Sequence, residues 1–203
     1  MHRSRHPIFY ALLCLLLAAC SRDPQLTKLQ ADDVIVAFGD SLTYGTGTTP
    51  DSAYPAVLAA LIHHPVVNAG VPGETTSDAM ARLPQVLADN HPRLVLLCLG
   101  GNDMLQHQPA SRTETNLRAM VATIRASGAG VLLIGVPEPR LFGGTAALYA
   151  NLADKMKLPY EGKVLNDVLR DPGLKSDEIH ANAKGYRIVA ERVAAQLQAA
   201  GAL

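Results

Sequence analysis

The sequence has no tryptophan and few other aromatic residues, six Tyr and three Phe in 203 positions. A site that binds sugars by ring stacking has little to build with here. Charge of one sign is missing too: 18 Lys and Arg balance 18 Asp and Glu. No basic field exists to hold a nucleic-acid backbone. Cysteine occurs only at positions 14, 20 and 98, too sparse for a disulfide framework. The longest apolar run, Ile8–Ala19, falls short of the about 20 residues that a spanning helix needs. Several motifs are absent. There is no GxxxxGK[ST], and GxGxxG fails at Gly45-Thr46-Gly47-Thr48-Thr49-Pro50, where no lysine follows to reach a phosphate. There is no HExxH, and the nucleophile elbow GxSxG is missing. His63 and His64 are neighbours, so on a helix they diverge by about 100°. His91 and His107 stand alone. No metal or other cofactor is expected.

What is present begins with a basic start, MHRSRH, followed by the short apolar run and a switch to polar residues at Ser21. This pattern reads as a secretory signal that is removed. The stretch Leu17-Ala18-Ala19-Cys20 resembles a bacterial lipobox. That resemblance implies cleavage after residue 19, lipidation of Cys20 and anchoring by several acyl chains. Ser21 rather than aspartate after the cysteine leans towards the outer membrane. The expected location is therefore the cell envelope, lipid-anchored, facing the periplasm. Loss of Arg3 and Arg5 with the signal leaves the mature chain slightly acidic. Residues 20–32 read as a polar tether, and 33–203 as one domain. Cys98 lies inside an apolar strand pattern and reads as a packing residue.

From residue 33 a regular alternation sets in. Strands are predicted at 34–38, 66–70, 93–100 and 131–136, with a weak one at 158–161. Helices are predicted at 52–63, capped by Asp51 or Ser52, at 75–89 with a possible kink at Pro84, at 112–127 stopped by Gly128, at 145–157 and at 182–199. Apolar strands without internal alternation, separated by helices, indicate a parallel sheet covered on both faces. The expected fold is α/β, a flavodoxin-like three-layer α/β/α sandwich with about five parallel strands. Ligands of such folds sit outside the carboxyl ends of the strands.

Gly39-Asp40-Ser41 follows the first strand, Asn68-Ala69-Gly70 closes the second, Gly100-Gly101-Asn102-Asp103 follows the third, and Asp177-Glu178-Ile179-His180 precedes the last helix. Each fragment alone has a plain structural use, as a cap, a turn or a loop. Together and in this order they resemble the SGNH hydrolases, also called GDSL esterases, lipases and thioesterases. Ser41 in FGDSLTYG, Gly70 in NAGVPGETT, Asn102 in LGGND and His180 in DEIHAN match the four blocks, over about residues 33–199. The closest likeness is to the bacterial thioesterase, lysophospholipase and arylesterase branch.

The resemblance implies a serine esterase. Ser41 would be the nucleophile and His180 the base. Asp177, three residues before His180 and on the same face of a tight turn, would orient it in preference to Glu178. The backbone N–H groups of Ser41 and Gly70 and the side-chain amide of Asn102 would form the oxyanion hole. Asp40 and Asp103 would be structural. Candidate walls are VPGETT after Gly70, Met104-Leu105, Leu141-Phe142 and Leu148-Tyr149. The expected partner is a small acyl ester: a carboxylic ester, a lysophospholipid or a thioester. The membrane is met only through Cys20, no nucleic acid is bound, and the chain is expected to be a monomer. The rival readings are a carbohydrate or peptidoglycan O-acetylesterase and a non-catalytic envelope lipoprotein.

Overall fold

The computed structural model describes residues 24–139 and 143–203. The lipidation site Cys20 and the wall candidates Leu141 and Phe142 lie outside them. Five parallel strands form one sheet: β1 (Ile35–Gly39), β2 (Val66–Gly70), β3 (Leu94–Cys98), β4 (Gly130–Ile134) and β5 (Tyr160–Glu161), in the order β2-β1-β3-β4-β5. Strands β1 and β3 are buried at every position, as expected of a sheet covered on both sides.

Among the described residues, eight α-helices flank the sheet: α1 (Ser41–Tyr44), α2 (Tyr54–Ile62), α3 (Thr76–Asn90), α4 (Gly101–Leu105), α5 (Ala110–Ala126), α6 (Ala147–Met156), α7 (Val164–Arg170) and α8 (Ala183–Ala199). α2 and α7 pack on α8 to form one outer layer, and α3 and α6 pack on α5 to form the other. This is the three-layer sandwich expected. The chain runs from β1 to one neighbour, β2, and then returns to the other side as β3. The crevice at that reversal, above β1 and β3, is the usual ligand position.

Local chemistry explains the helix ends. Thr75 and Asp78 form a reciprocal capping box at the start of α3, which satisfies two otherwise orphaned N–H groups. Gly128, at φ +88°, follows the end of α5 in the left-handed region, so its expected role as a stop holds. α3 continues through Pro84, which is exposed. The expected cap of α2 is different in the structure. Pro50–Ser52 forms a separate 3₁₀ turn, and α2 begins after Ala53 without a side-chain cap. His63 and His91 close α2 and α3 in left-handed geometry, which gives both histidines a backbone role.

The segment expected as a free tether is not free along its described part. Leu26 and Leu29 donate their N–H groups to the carbonyls of Ala200 and Ala202, each at 2.8 Å, and Leu29 is only 7% exposed. The two leucines, three residues apart, carry the segment onto the domain.

Candidate active site

The site is built at the carboxyl ends of β1, β2 and β3. β1 runs straight into Asp40, whose side chain accepts from the Leu42 N–H at 3.0 Å and so caps α1. Ser41 is therefore the first residue of a helix, where the backbone N–H has no partner within the helix. Its Oγ lies 3.0 Å from His180 Nε2. The other ring nitrogen of His180, Nδ1, lies 2.8 Å from Asp177 Oδ2. A neutral ring with its proton on Nδ1 donates to the carboxylate and accepts the Ser41 hydroxyl proton.

Asp177 and His180 do not belong to a helix. Asp177 Oδ1 accepts from the N–H groups of Ile179 and His180, both at 2.9 Å, and this turn folds the histidine back over its carboxylate. Partial burial opposes the charge of Asp177, but the Ile179 N–H, the His180 ring and the His180 N–H together hold its carboxyl below the usual range. Glu178 points away: its side chain is 92% exposed and pairs with Lys175 at 3.2 Å.

Asn102 lines the crevice beside Ser41 and His180, whereas Gly70, at the end of β2, does not line it. A Cβ at Gly70 would overlap the backbone of Thr43 and Tyr44. Glycine is thus required there because α1 presses its own backbone against the end of β2. The Gly70 N–H donates to Asn68 Oδ1 at 3.0 Å. Asn102, in the first turn of α4, donates from Nδ2 to the Glu74 carbonyl at 2.9 Å and lies 3.5 Å from Asp40 Oδ2. Gly100, at φ +113°, makes the bend that carries the chain from β3 into α4.

The acids beneath the site have separate tasks. Asp40 is 1% exposed, and its carboxyl is pushed up to about 7 by burial, with the Asp103 and Glu74 charges adding to the rise. Asp103 accepts from the Thr76 backbone N–H at 2.8 Å and from the hydroxyls of Thr76 and Thr113. It ties α3 and α5 together, the structural role expected of it. Cys98 is a buried free thiol, pushed up by burial and the neighbouring Asp40.

A cleft of about 420 Å³ opens beside Ser41, Asn102 and His180. Its apolar wall is formed by Leu105, Val136, Pro137, Pro139, Leu169 and Ile179, and Glu138, Arg170, Lys175 and Glu178 stand around it. Of the walls expected from the sequence, only Leu105 takes that place among the described residues. Tyr149 is fully buried and its hydroxyl donates to the Leu99 carbonyl at 2.8 Å, so it belongs to the core. Met104 and Leu148 pack against the core as well, and residues 71–76 do not line the cleft. α7, which supplies Leu169, escaped prediction. Its signal was present: Val164, Leu165, Val168 and Leu169 form one apolar face at helical spacing.

Chemically, a hydroxyl bonded to an imidazole that a carboxylate orients can give up its proton as its oxygen attacks an acyl carbon. The comparisons agree with that chemistry. Residues 37–188 match the model of the GDSL-like lipase/acylhydrolase family. The chain belongs to this family. Thioesterase 1/protease 1/lysophospholipase L1 of Escherichia coli K12 is 33% identical over 179 residues, covering 84% of this chain and 86% of that one. The arylesterase of Vibrio mimicus is 31% identical, covering 83% and 90%. Among solved structures, AlinE4, an SGNH-hydrolase family esterase, superposes with a TM-score of 0.66 at 30% identity, covering 85% of this chain and 96% of that one. As a GDSL acylhydrolase, the protein is a carboxylic ester hydrolase with the central five-stranded parallel sheet of its structural relatives.

Proposed function

We propose that the protein is a serine esterase in which Ser41 attacks the acyl carbon, His180 takes the hydroxyl proton and returns it to the leaving group, and Asp177 holds the imidazole in the required tautomer. The observation that carries this reading is the chain of two hydrogen bonds, Asp177 Oδ2 to His180 Nδ1 at 2.8 Å and His180 Nε2 to Ser41 Oγ at 3.0 Å, which joins residues 139 positions apart. The developing oxyanion would be met by the N–H groups of Ser41 and Gly70 and by the Asn102 amide. An oxyanion entering there has to share the Gly70 N–H with Asn68 or displace it.

The apolar wall favours an acyl or aryl group over a sugar, and so favours carboxylic esters, lysophospholipids or thioesters over acetylated glycans. The reading extends to a lipid anchor at Cys20 that keeps the protein in the cell envelope, outer membrane facing periplasm, and to a monomer. The direct test is hydrolysis of p-nitrophenyl esters from acetate to palmitate by the purified full chain and by Ser41→Ala. Serine-dependent turnover that rises beyond acetate is expected. Turnover that survives Ser41→Ala would refute the nucleophile, and activity confined to acetate would favour the O-acetylesterase.

A further inference from the structure

Asp177 and His180 sit on the tip of a small hairpin. Lys175 and Ala181 form an antiparallel bridge at its base. The Ser176 N–H donates to the His180 carbonyl and the Asn182 N–H to the Leu174 carbonyl, both at 2.9 Å. The Ser176 hydroxyl also donates to the His180 carbonyl, at 3.3 Å. The place of the imidazole therefore depends on how firmly the two limbs of this hairpin are joined.

Asn182 joins them with its whole side chain. Oδ1 accepts from the Lys184 and Gly185 N–H groups at 3.0 and 3.1 Å, which caps α8. Nδ2 donates to the carbonyls of Gly173 at 3.0 Å and Lys175 at 3.3 Å, both on the opposite limb. Two accepted and two donated bonds fill the amide, and turning it over would set oxygen against oxygen. Gly185 lets the limbs close, because a Cβ there would overlap the Leu174 carbonyl.

The helix that carries this clamp is registered on the serine. The Ser41 carbonyl accepts from the N–H groups of Gly45 and Thr46 at 3.1 and 3.0 Å. The Thr46 carbonyl in turn accepts from the Tyr186 hydroxyl at 2.9 Å. Tyr186 lies one turn after Asn182 and donates its N–H to the Asn182 carbonyl at 2.9 Å. Gly47, at φ +96°, passes against the base of the hairpin, where a Cβ would overlap Ser176 Oγ and crowd the Ala181 carbonyl. Asn182 itself does not line the cleft.

We propose that Asn182 is a positioning residue for His180. Its Nδ2 clamps the incoming limb of the hairpin to the start of α8, and so keeps His180 Nε2 within reach of Ser41 Oγ. A helix cap needs only the acceptor oxygen, so the two donated bonds serve the hairpin alone. The inference rests on the reading of Ser41, Asp177 and His180 as the catalytic residues.

The test separates clamp from cap. Asn182→Asp and Asn182→Ser both keep an acceptor for the start of α8, and both lose the donors. Each is compared in the full chain with wild type, Ser41→Ala and Asp177→Ala on p-nitrophenyl butyrate. Each should lower kcat on the order of 10- to 100-fold with KM held within about threefold. A p-nitrophenyl phosphonate, which labels an activated serine, should react with the same fraction of chains as in wild type, only more slowly. In the Asp177→Ala background, Asn182→Ser should cost less than it does alone, because the pair it holds is already broken. The proposal is overturned if either folded variant keeps wild-type kcat, or if the loss appears in KM alone. It is also overturned if a smaller labelled fraction accounts for the whole loss, or if the Asp177→Ala and Asn182→Ser losses add in full. Activity that survives Ser41→Ala would remove the catalytic reading itself, and this inference with it.

Discussion

Asp40 should make the protein less stable as pH rises through the range where most carboxylates have already ionised. Burial pushes its carboxyl from an ordinary 3.8 up to about 7 in the folded chain. Below about pH 4 the folded and unfolded chains both carry the proton, and the group contributes nothing. Between 4 and 7 the folded chain holds a proton that the unfolded chain has released, so each step up in pH favours unfolding. Above 7 the full cost is present. A rise of roughly three units at about 1.4 kcal/mol each amounts to about 4 kcal/mol. Asp40→Asn removes the charge and keeps the essential contact, because its side-chain oxygen can still accept from the Leu42 N–H and Asn is as good a cap as Asp. Urea unfolding of wild type and Asp40→Asn from pH 4 to 8.5 isolates the group and its coupling to Asp103 and Glu74, since titrations not coupled to Asp40 cancel in the difference. The variant should gain nothing near pH 4 and about 4 kcal/mol near pH 8. Two curves that run parallel across the range would refute the reasoning. A gain would also show what the site costs: an acid kept in the interior to cap the helix that carries Ser41.

Gly70→Ala should lower the melting temperature sharply and reduce activity, because the new methyl meets the backbone of Thr43 and Tyr44, which has no side-chain freedom with which to yield. An unchanged melt would show that β2 and α1 can separate without loss. Cys20→Ser should move the protein from the membrane to the soluble fraction of its host cells. Equal fractionation of the two proteins would remove the lipid anchor.

Much of the fold could be read from residue patterns because β1 to β4 are short apolar runs bounded by turn residues, and β2 was placed at the residues it occupies. The short helix α4 was not, since five residues give no period and its first turn follows the bend at Gly100. The contact between His180 and Ser41 follows from a family pattern and cannot be drawn from spacing, because it closes across the sheet. The cleft wall was largely misplaced because apolar loop residues such as Leu148 and Tyr149 look alike whether they face a ligand or the core.

The docked amino-terminal segment has an orienting effect. Its contacts are with Ala200 and Ala202, just past the end of α8, whereas the start of α8 lies beside His180. The helix has 17 residues, about 25 Å at 1.5 Å each, so the chain enters the domain at the rim opposite the cleft. Between Cys20 and Leu26 the chain can span at most about 20 Å. An anchor at Cys20 would therefore moor the protein by its back, with the catalytic mouth turned away from its own bilayer. Lipids of the leaflet that holds it would be the esters hardest for it to reach. Its substrates would arrive dissolved, or from whatever surface lies across the gap.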